Sequence, residues 1–137
     1  MATYNKYQPW VDSLVEVAQC ATDQFVVALS NTAGDADATK ATLSQITQVS
    51  YTNLSSRNIT TSSSSQSGGT YSLVFSDLTL TASGGSVASF RYVITYDDTP
   101  SSPADPLVAW HDYASAVTLA DGETFLLDYG ANFFTVA

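Results

Sequence analysis

His111 and Asp112 form the one histidine–carboxylate neighbourhood in the chain. An imidazole oriented by a carboxylate can act as a general base or serve a nucleophile in a triad. The surrounding residues, Leu107 to Tyr113, have strand character, and adjacent strand residues project to opposite faces. The two side chains therefore cannot form a dyad with each other, and His111 would need a Ser or Asp from another strand. The sequence contains no GxSxG nucleophile elbow, no GxGxxG fingerprint and no P-loop. His111 reads as a surface or interface histidine.

Carboxylates are the other reactive groups in quantity. Asp97, Asp98, Asp105, Asp121, Glu123 and Asp128 crowd the C-terminal half. Two of them across a cleft would suit glycoside hydrolysis, and loop aspartates suit calcium. Their spacing matches no calcium loop, and a chain this short promises no deep substrate cleft, so they read as a solvated acidic face. Cys20 is the only cysteine, which excludes an internal disulfide, and one Cys with one His leaves no Cys/His zinc site. The expectation is a chain that is not an enzyme, with no catalytic, cofactor-binding or metal-binding residues.

The aromatic residues are more informative: eight Tyr, six Phe and two Trp. Tyr4, Tyr7 and Trp10 cluster in a segment too short for a core of its own, and Phe133 and Phe134 repeat the pattern near the other end. Such residues either pack on the chain's own sheet or anchor a partner. These five residues are the candidate partner interface.

The elements that must position these residues follow from periodicity. Residues 1–8 read as an arm. Pro9 suits the first turn of a helix, and Val11, Leu14, Val15 and Ala18 fall at i, i+3, i+4 and i+7, predicting a helix over 9–20. That helix would lie across a sheet edge or an open barrel end, or be reserved for a neighbouring subunit. Phe25 to Leu29 is a near-continuous apolar run, as in a strand covered on both faces. Residues 31–37 read as a loop, Leu43 and Ile46 as one helical turn, and Tyr51 as the start of a strand. Residues 53–69 are Ser- and Thr-rich and read as a long exposed loop or an edge segment anchored by Ile59. Their two glycosylation sequons are read as unmodified.

The stretch Thr70 to Asp97 carries the strongest alternation. Tyr71, Leu73 and Phe75, then Leu78 and Leu80, then Phe90, Tyr92, Ile94 and Tyr96 alternate with smaller or polar residues, predicting strands joined through a Gly84-Gly85 turn. Residues 97–106, with three Pro and three Asp, read as a projecting loop. Asp121-Gly122 reads as a type I′ hairpin before a strand over 125–129, and Phe133, Phe134 and Val136 as a final strand or docking tail. Roughly six to eight short strands behind one helix predict a mostly β fold: an antiparallel β-sandwich or jelly-roll-like barrel over 23–137, in a single domain of 137 residues.

Charge narrows the partners. Thirteen acids face four bases, a formal charge of −9. Lys6, Lys40, Arg57 and Arg91 are scattered, whereas a phosphate backbone or anionic membrane demands clustered bases. Neither direct nucleic-acid binding nor membrane binding is expected. No basic, apolar leader and no apolar run of about 20 residues is present, so synthesis in a cytoplasm is expected.

Six stretches together resemble a family of small virion proteins of tailed bacteriophages that includes capsid cement (decoration) proteins. They are YNKYQPWVDSLVE, FVVALSNT, ITQVSYT, TYSLVFSDLTLTASGGSVASFRYVITYDDT, PLVAWHDY and VTLADGETFLLDY. The resemblance implies a sandwich or jelly roll on the outer capsid surface of a virion assembled in a bacterial host. Its implied partners are the major capsid protein and further copies of itself, as a homodimer or homotrimer on a symmetry axis. A tail or neck component, such as a tube or adaptor, is the alternative, followed by a carbohydrate-binding module.

Overall fold

The apolar run becomes β2 (Phe25–Ser30), and every residue of it is buried. Burial on both faces requires two covers, and the computed structural model, which describes residues 2–137, supplies both. β2 pairs along its whole length with β7 (Phe90–Asp97), from Phe25 opposite Asp97 to Ser30 opposite Tyr92. β7 pairs with β8 (Leu107–Val117), β8 with β1 (Tyr4–Lys6), and β3 (Asn58–Ile59) edges β2 on the other side. The resulting order is β1-β8-β7-β2-β3.

A second layer is built from β4 (Thr61–Ser67), β5 (Thr70–Phe75) and β10 (Phe134–Val136) in the order β10-β5-β4, with a ribbon of β6 (Leu78–Thr81) and β9 (Thr124–Leu127). Among the described residues all strand pairs are antiparallel, and the fold is a mostly β, sandwich-like one with a single short α-helix, α1 (Trp10–Glu16). Between the layers lies the main core. Phe25, Val27, Leu29, Val93 and Ala109 meet Leu73, Phe75, Leu80, Leu127, Tyr129 and Phe133 there.

The opposite face of the five-stranded sheet carries Tyr7, Val26, Ala28, Tyr92, Ile94, Tyr96 and Leu107, packed with Ile46. Its cover is the segment 31–49, which contains two single turns of 3-10 helix, Ala33–Asp35 and Leu43–Gln45. A buried carboxylate fastens this cover. Asp35 accepts hydrogen bonds from Ser30 Oγ at 2.5 Å, Lys40 Nζ at 2.7 Å and Thr47 N at 3.0 Å, and its backbone oxygen accepts from Tyr7 Oη at 2.8 Å.

Several expectations need correction. The helix spans 10–16 rather than 9–20: Val17 leaves helical geometry at φ −130°, and the Gln19 N–H turns to the Asp23 carboxylate at 2.9 Å. Ten strands form among the described residues, above the expected number, because three-residue β1 and β10 and two-residue β3 are too short to show alternation. Tyr51 lies in a loop, where its hydroxyl accepts from Leu29 N at 3.0 Å.

The strand pairing differs most. Gly84-Gly85 is not a hairpin turn: β6 pairs with β9, and β7 with β2 and β8. These glycines cross against Asn53. A Cβ on Gly85 would stand 2.6 Å from Asn53 Nδ2, and Gly84 N donates to Asp121 Oδ1 at 3.1 Å. The true glycine hairpin is Gly68-Gly69, with φ of 57° and 86°, joining β4 to β5. Positive φ at both central residues is the two-residue hairpin geometry. Residues 53–69 thus take the edge-segment form, with Ile59 buried beneath. Asp121-Gly122 makes a turn closed by Glu123 N to Ala120 O at 2.9 Å, with positive φ at Gly122 alone, so it is not type I′ and joins no hairpin.

Replacing Asp35 removes the acceptor shared by three donors and leaves the Lys40 ammonium without its partner. Asp35→Ala is expected to destabilise the chain by about 3 kcal/mol, the scale for breaking one side of a buried pair. Urea unfolding measures it, with Lys6→Ala, at an exposed position, as the near-neutral comparison.

Candidate partner interface

Tyr7, Trp10 and Phe133 are buried in the chain's own core, at 0, 2 and 6% exposure. They form no surface anchors, which corrects their place in the candidate interface. Trp10 drops between the layers, edge-on to Phe25 of β2 and Phe134 of β10, both at 6.3 Å between ring centres. Tyr7 lies against Trp110 at 4.8 Å. Phe133 stacks on Phe75 at 4.5 Å and meets Tyr4 edge-on at 5.4 Å. The driving force is burial of large apolar area, with the edge-on geometry preferred by ring quadrupoles. Tyr4 and Phe134 are half-buried and remain at a surface. Burial holds the Tyr4 phenol up at about 12, so its hydroxyl stays protonated.

That surface is a groove of about 890 Å³ between β1, α1 and β10, lined by Tyr4, Val11, Leu14, Phe134 and Val136 among others. It meets a second trough of about 470 Å³ at Leu14, Val15 and Val136, which runs past Ala18 and Cys20 to Tyr71. The helical stripe seen in the sequence accounts for it. Trp10 and Ser13 are the buried residues of α1, whereas Val11 and Val15, at 47 and 82% exposure, face outward. The residues missed by sequence reasoning were thus visible as an apolar stripe; their orientation was not, because Trp10 takes the inward position. Among the described residues, Lys6 carries the only charged side chain lining either trough.

The remaining chemistry-bearing residues are dispersed. His111 packs between the rings of Tyr4 at 5.9 Å and Phe133 at 6.4 Å, and burial lowers its pKa, which favours the neutral imidazole. Asp112 turns instead to Arg91, in a two-point ion pair at 2.8 and 3.0 Å that holds its carboxyl below the usual range. Cys20 is buried at the rim of the second trough, and desolvation pushes its thiol to about 11, so it is a poor nucleophile at neutral pH. No group of three or more His, Cys, Asp or Glu among the described residues is arranged to hold a metal ion.

Scans against protein-family models, curated proteins and solved structures returned no match to this chain. Its site is therefore described by its own geometry.

One of the acids is not solvated. Asp97 is fully buried, and its Oδ2 has no hydrogen-bond partner. Desolvation, followed by the neighbouring Asp23 carboxyl, raises its pKa from 3.8 to about 8. The folded chain holds this proton where the unfolded chain releases it, so the stabilisation is complete below about 3.8 and is lost as pH rises to about 8. Asp97→Asn is expected to flatten this loss, giving an advantage over wild type that grows between those limits. Thermal unfolding across the pH series measures it; parallel profiles for the two proteins would contradict the assignment.

Proposed function

We propose that the chain is a capsid cement (decoration) protein of a tailed bacteriophage, which binds the outside of the assembled shell and bridges coat subunits. The observation that carries the reading is the apolar groove at β1, α1 and β10, a docking surface on a chain of formal charge −9. The resemblance of the six sequence stretches to small virion proteins supplies the identity of the partner, the major capsid protein.

The charge distribution supports an outer rather than an inner position. Lys40 and Arg91 are paired with Asp35 and Asp112, and Arg57 lies over the Tyr51 ring while donating to Val27 O. Few bases are left to meet packaged nucleic acid, and the acidic coat repels it. The mechanism is mass action. A protein that binds only the assembled, expanded shell lowers the free energy of that state by the binding term, and each bridged subunit boundary resists internal pressure by that amount.

Co-sedimentation with expanded mature shells, with procapsids and tail preparations alongside, tests the reading. Stoichiometric binding to mature shells alone is expected. Binding to tails would move the assignment to a tube or neck component, and binding to none of the three would remove the virion reading.

A further inference from the structure

We propose that one proton held between the carboxyls of Asp23 and Asp97 latches the turn 19–23 against the end of β7, and that release of this proton frees the turn. Gln19, Cys20, Ala21 and Thr22 of that turn line the second trough, so the latch sets the shape of this surface. The inference concerns the isolated chain, so its failure leaves shell binding untouched, and the failure of shell binding leaves it standing.

The first argument is the match of donors to acceptors. Asp97 is fully buried at the end of β7. Its Oδ1 accepts from Thr99 N at 3.3 Å, and its Oδ2 meets no N–H or hydroxyl donor. The side chain within hydrogen-bonding reach of this carboxyl is the half-buried Asp23. Two ionised carboxylates can only accept, and they repel; one proton makes either of them a donor to the other. Among the described residues, neither carboxyl forms an ion pair with a base.

The second argument is the surroundings. The titratable groups facing Asp97 are Asp23 and Cys20 of the turn and Asp98 at the head of the loop, and Asp98 in turn meets Asp105. Phe25 of β2 and Pro106, which flank Asp97, are apolar. Arg57 lies ahead of β3, beyond β2, and is engaged by Val27 O and the Tyr51 ring. Burial first, and these acids second, thus favour the protonated pair.

The third argument is mechanical. Asp23 closes the turn on itself: its Oδ2 accepts from Gln19 N at 2.9 Å, and its N–H donates to Gln19 O at 2.9 Å, beside Thr22 N to the same oxygen at 2.8 Å. The turn therefore moves as one piece with the Asp23 carboxyl. On its N-terminal side Val17 has already left helical geometry. On its C-terminal side Gln24 is pinned without any titrating group, by Gln24 N to Thr99 Oγ1 at 2.8 Å and Asp98 N to Gln24 O at 2.9 Å. Gln24 is the fixed point, and repulsion between two bare carboxylates would swing the turn away from β7 about it.

Labelling of Cys20 by 4,4′-dithiodipyridine tests the proposal. Protection is the rate in the urea-unfolded chain divided by the rate in the folded chain at the same pH, and Cys20 is buried while the latch is closed. An opening that releases one proton grows about tenfold per pH unit. Wild-type protection is therefore expected to fall at that rate between about pH 5 and 7 and to level off near 8. Protection that low urea leaves unchanged marks opening of the turn rather than of the whole fold. Asp97→Asn is expected to abolish the slope. Asp23→Asn, whose amide donates without a titrating proton, is expected to bring the levelling-off down by at least about one pH unit. Asp98→Asn, at an exposed position, is expected to move it less. Circular dichroism reports the fold of each variant. Wild-type protection independent of pH, a slope that survives Asp97→Asn, a profile that Asp23→Asn leaves in place, or protection that falls with urea as global unfolding does would overturn the proposal.

Discussion

Asp35 knits the segment 31–49 together through Lys40 and Thr47 and joins it to the five-stranded sheet through Ser30 at the end of β2, and much of the architecture depends on that tie. β2 and β7 are buried almost throughout, so the sheet they centre can exist only if both faces are dry. The inner face is covered by the second layer through ordinary strand packing. The outer face is covered by irregular chain, tied to the sheet by isolated backbone bonds such as Val49 N to Leu29 O and Leu107 N to Ala41 O, both at 2.9 Å. Ser30, Lys40 and Thr47 also converge on one buried acceptor, and Tyr7 reaches the same residue's backbone from the N-terminal side. Apolar burial at about 25 cal/mol per Å² supplies the stability, and the ion pair supplies the position.

The same economy of bases shapes the exterior. With three of the four bases engaged by internal partners, the acids dominate the long-range field. Such a surface keeps like chains apart and disfavours nucleic acid, and it makes any window without Asp or Glu side chains a preferred place of contact. That window is where the N-terminal strand, the helix and the last strand come together.

The magnitudes explain why the window can be a contact yet is tolerated when bare. Fully burying a valine is worth about 1.5 kcal/mol or somewhat more. Association costs at least about 4 kcal/mol in lost translation and rotation. The three exposed valines of one chain are therefore only comparable to that cost, and lasting contact needs strand pairing or several boundaries acting together. Leaving them in water is a modest penalty beside the burial of Trp10, Phe133 and the rest of the core.

Local chemistry was enough to reveal a mostly β chain, the fully covered strand at Phe25 to Leu29, a helix beginning after Pro9, the turn at Leu43 to Gln45 and the loop at 98–106, although Asp97, read as part of that loop, is a buried residue of β7. Each depends on neighbours within a few residues: an apolar run, a fixed proline φ, a short period. The partners of the strands were not legible. Gly68-Gly69 and Gly84-Gly85 are the same dipeptide, yet the first folds a hairpin while the second crosses against Asn53 and Asp121, residues about thirty-odd positions away in either direction. Likewise, the aromatic clusters at both ends announced that large apolar area would be buried, without saying against what. Tertiary packing decided that Trp10, Tyr7 and Phe133 serve the core and that Val11 and Val15 do not. A helix has one inward face, and the bulkiest side chain able to fill the gap between the sheets took it.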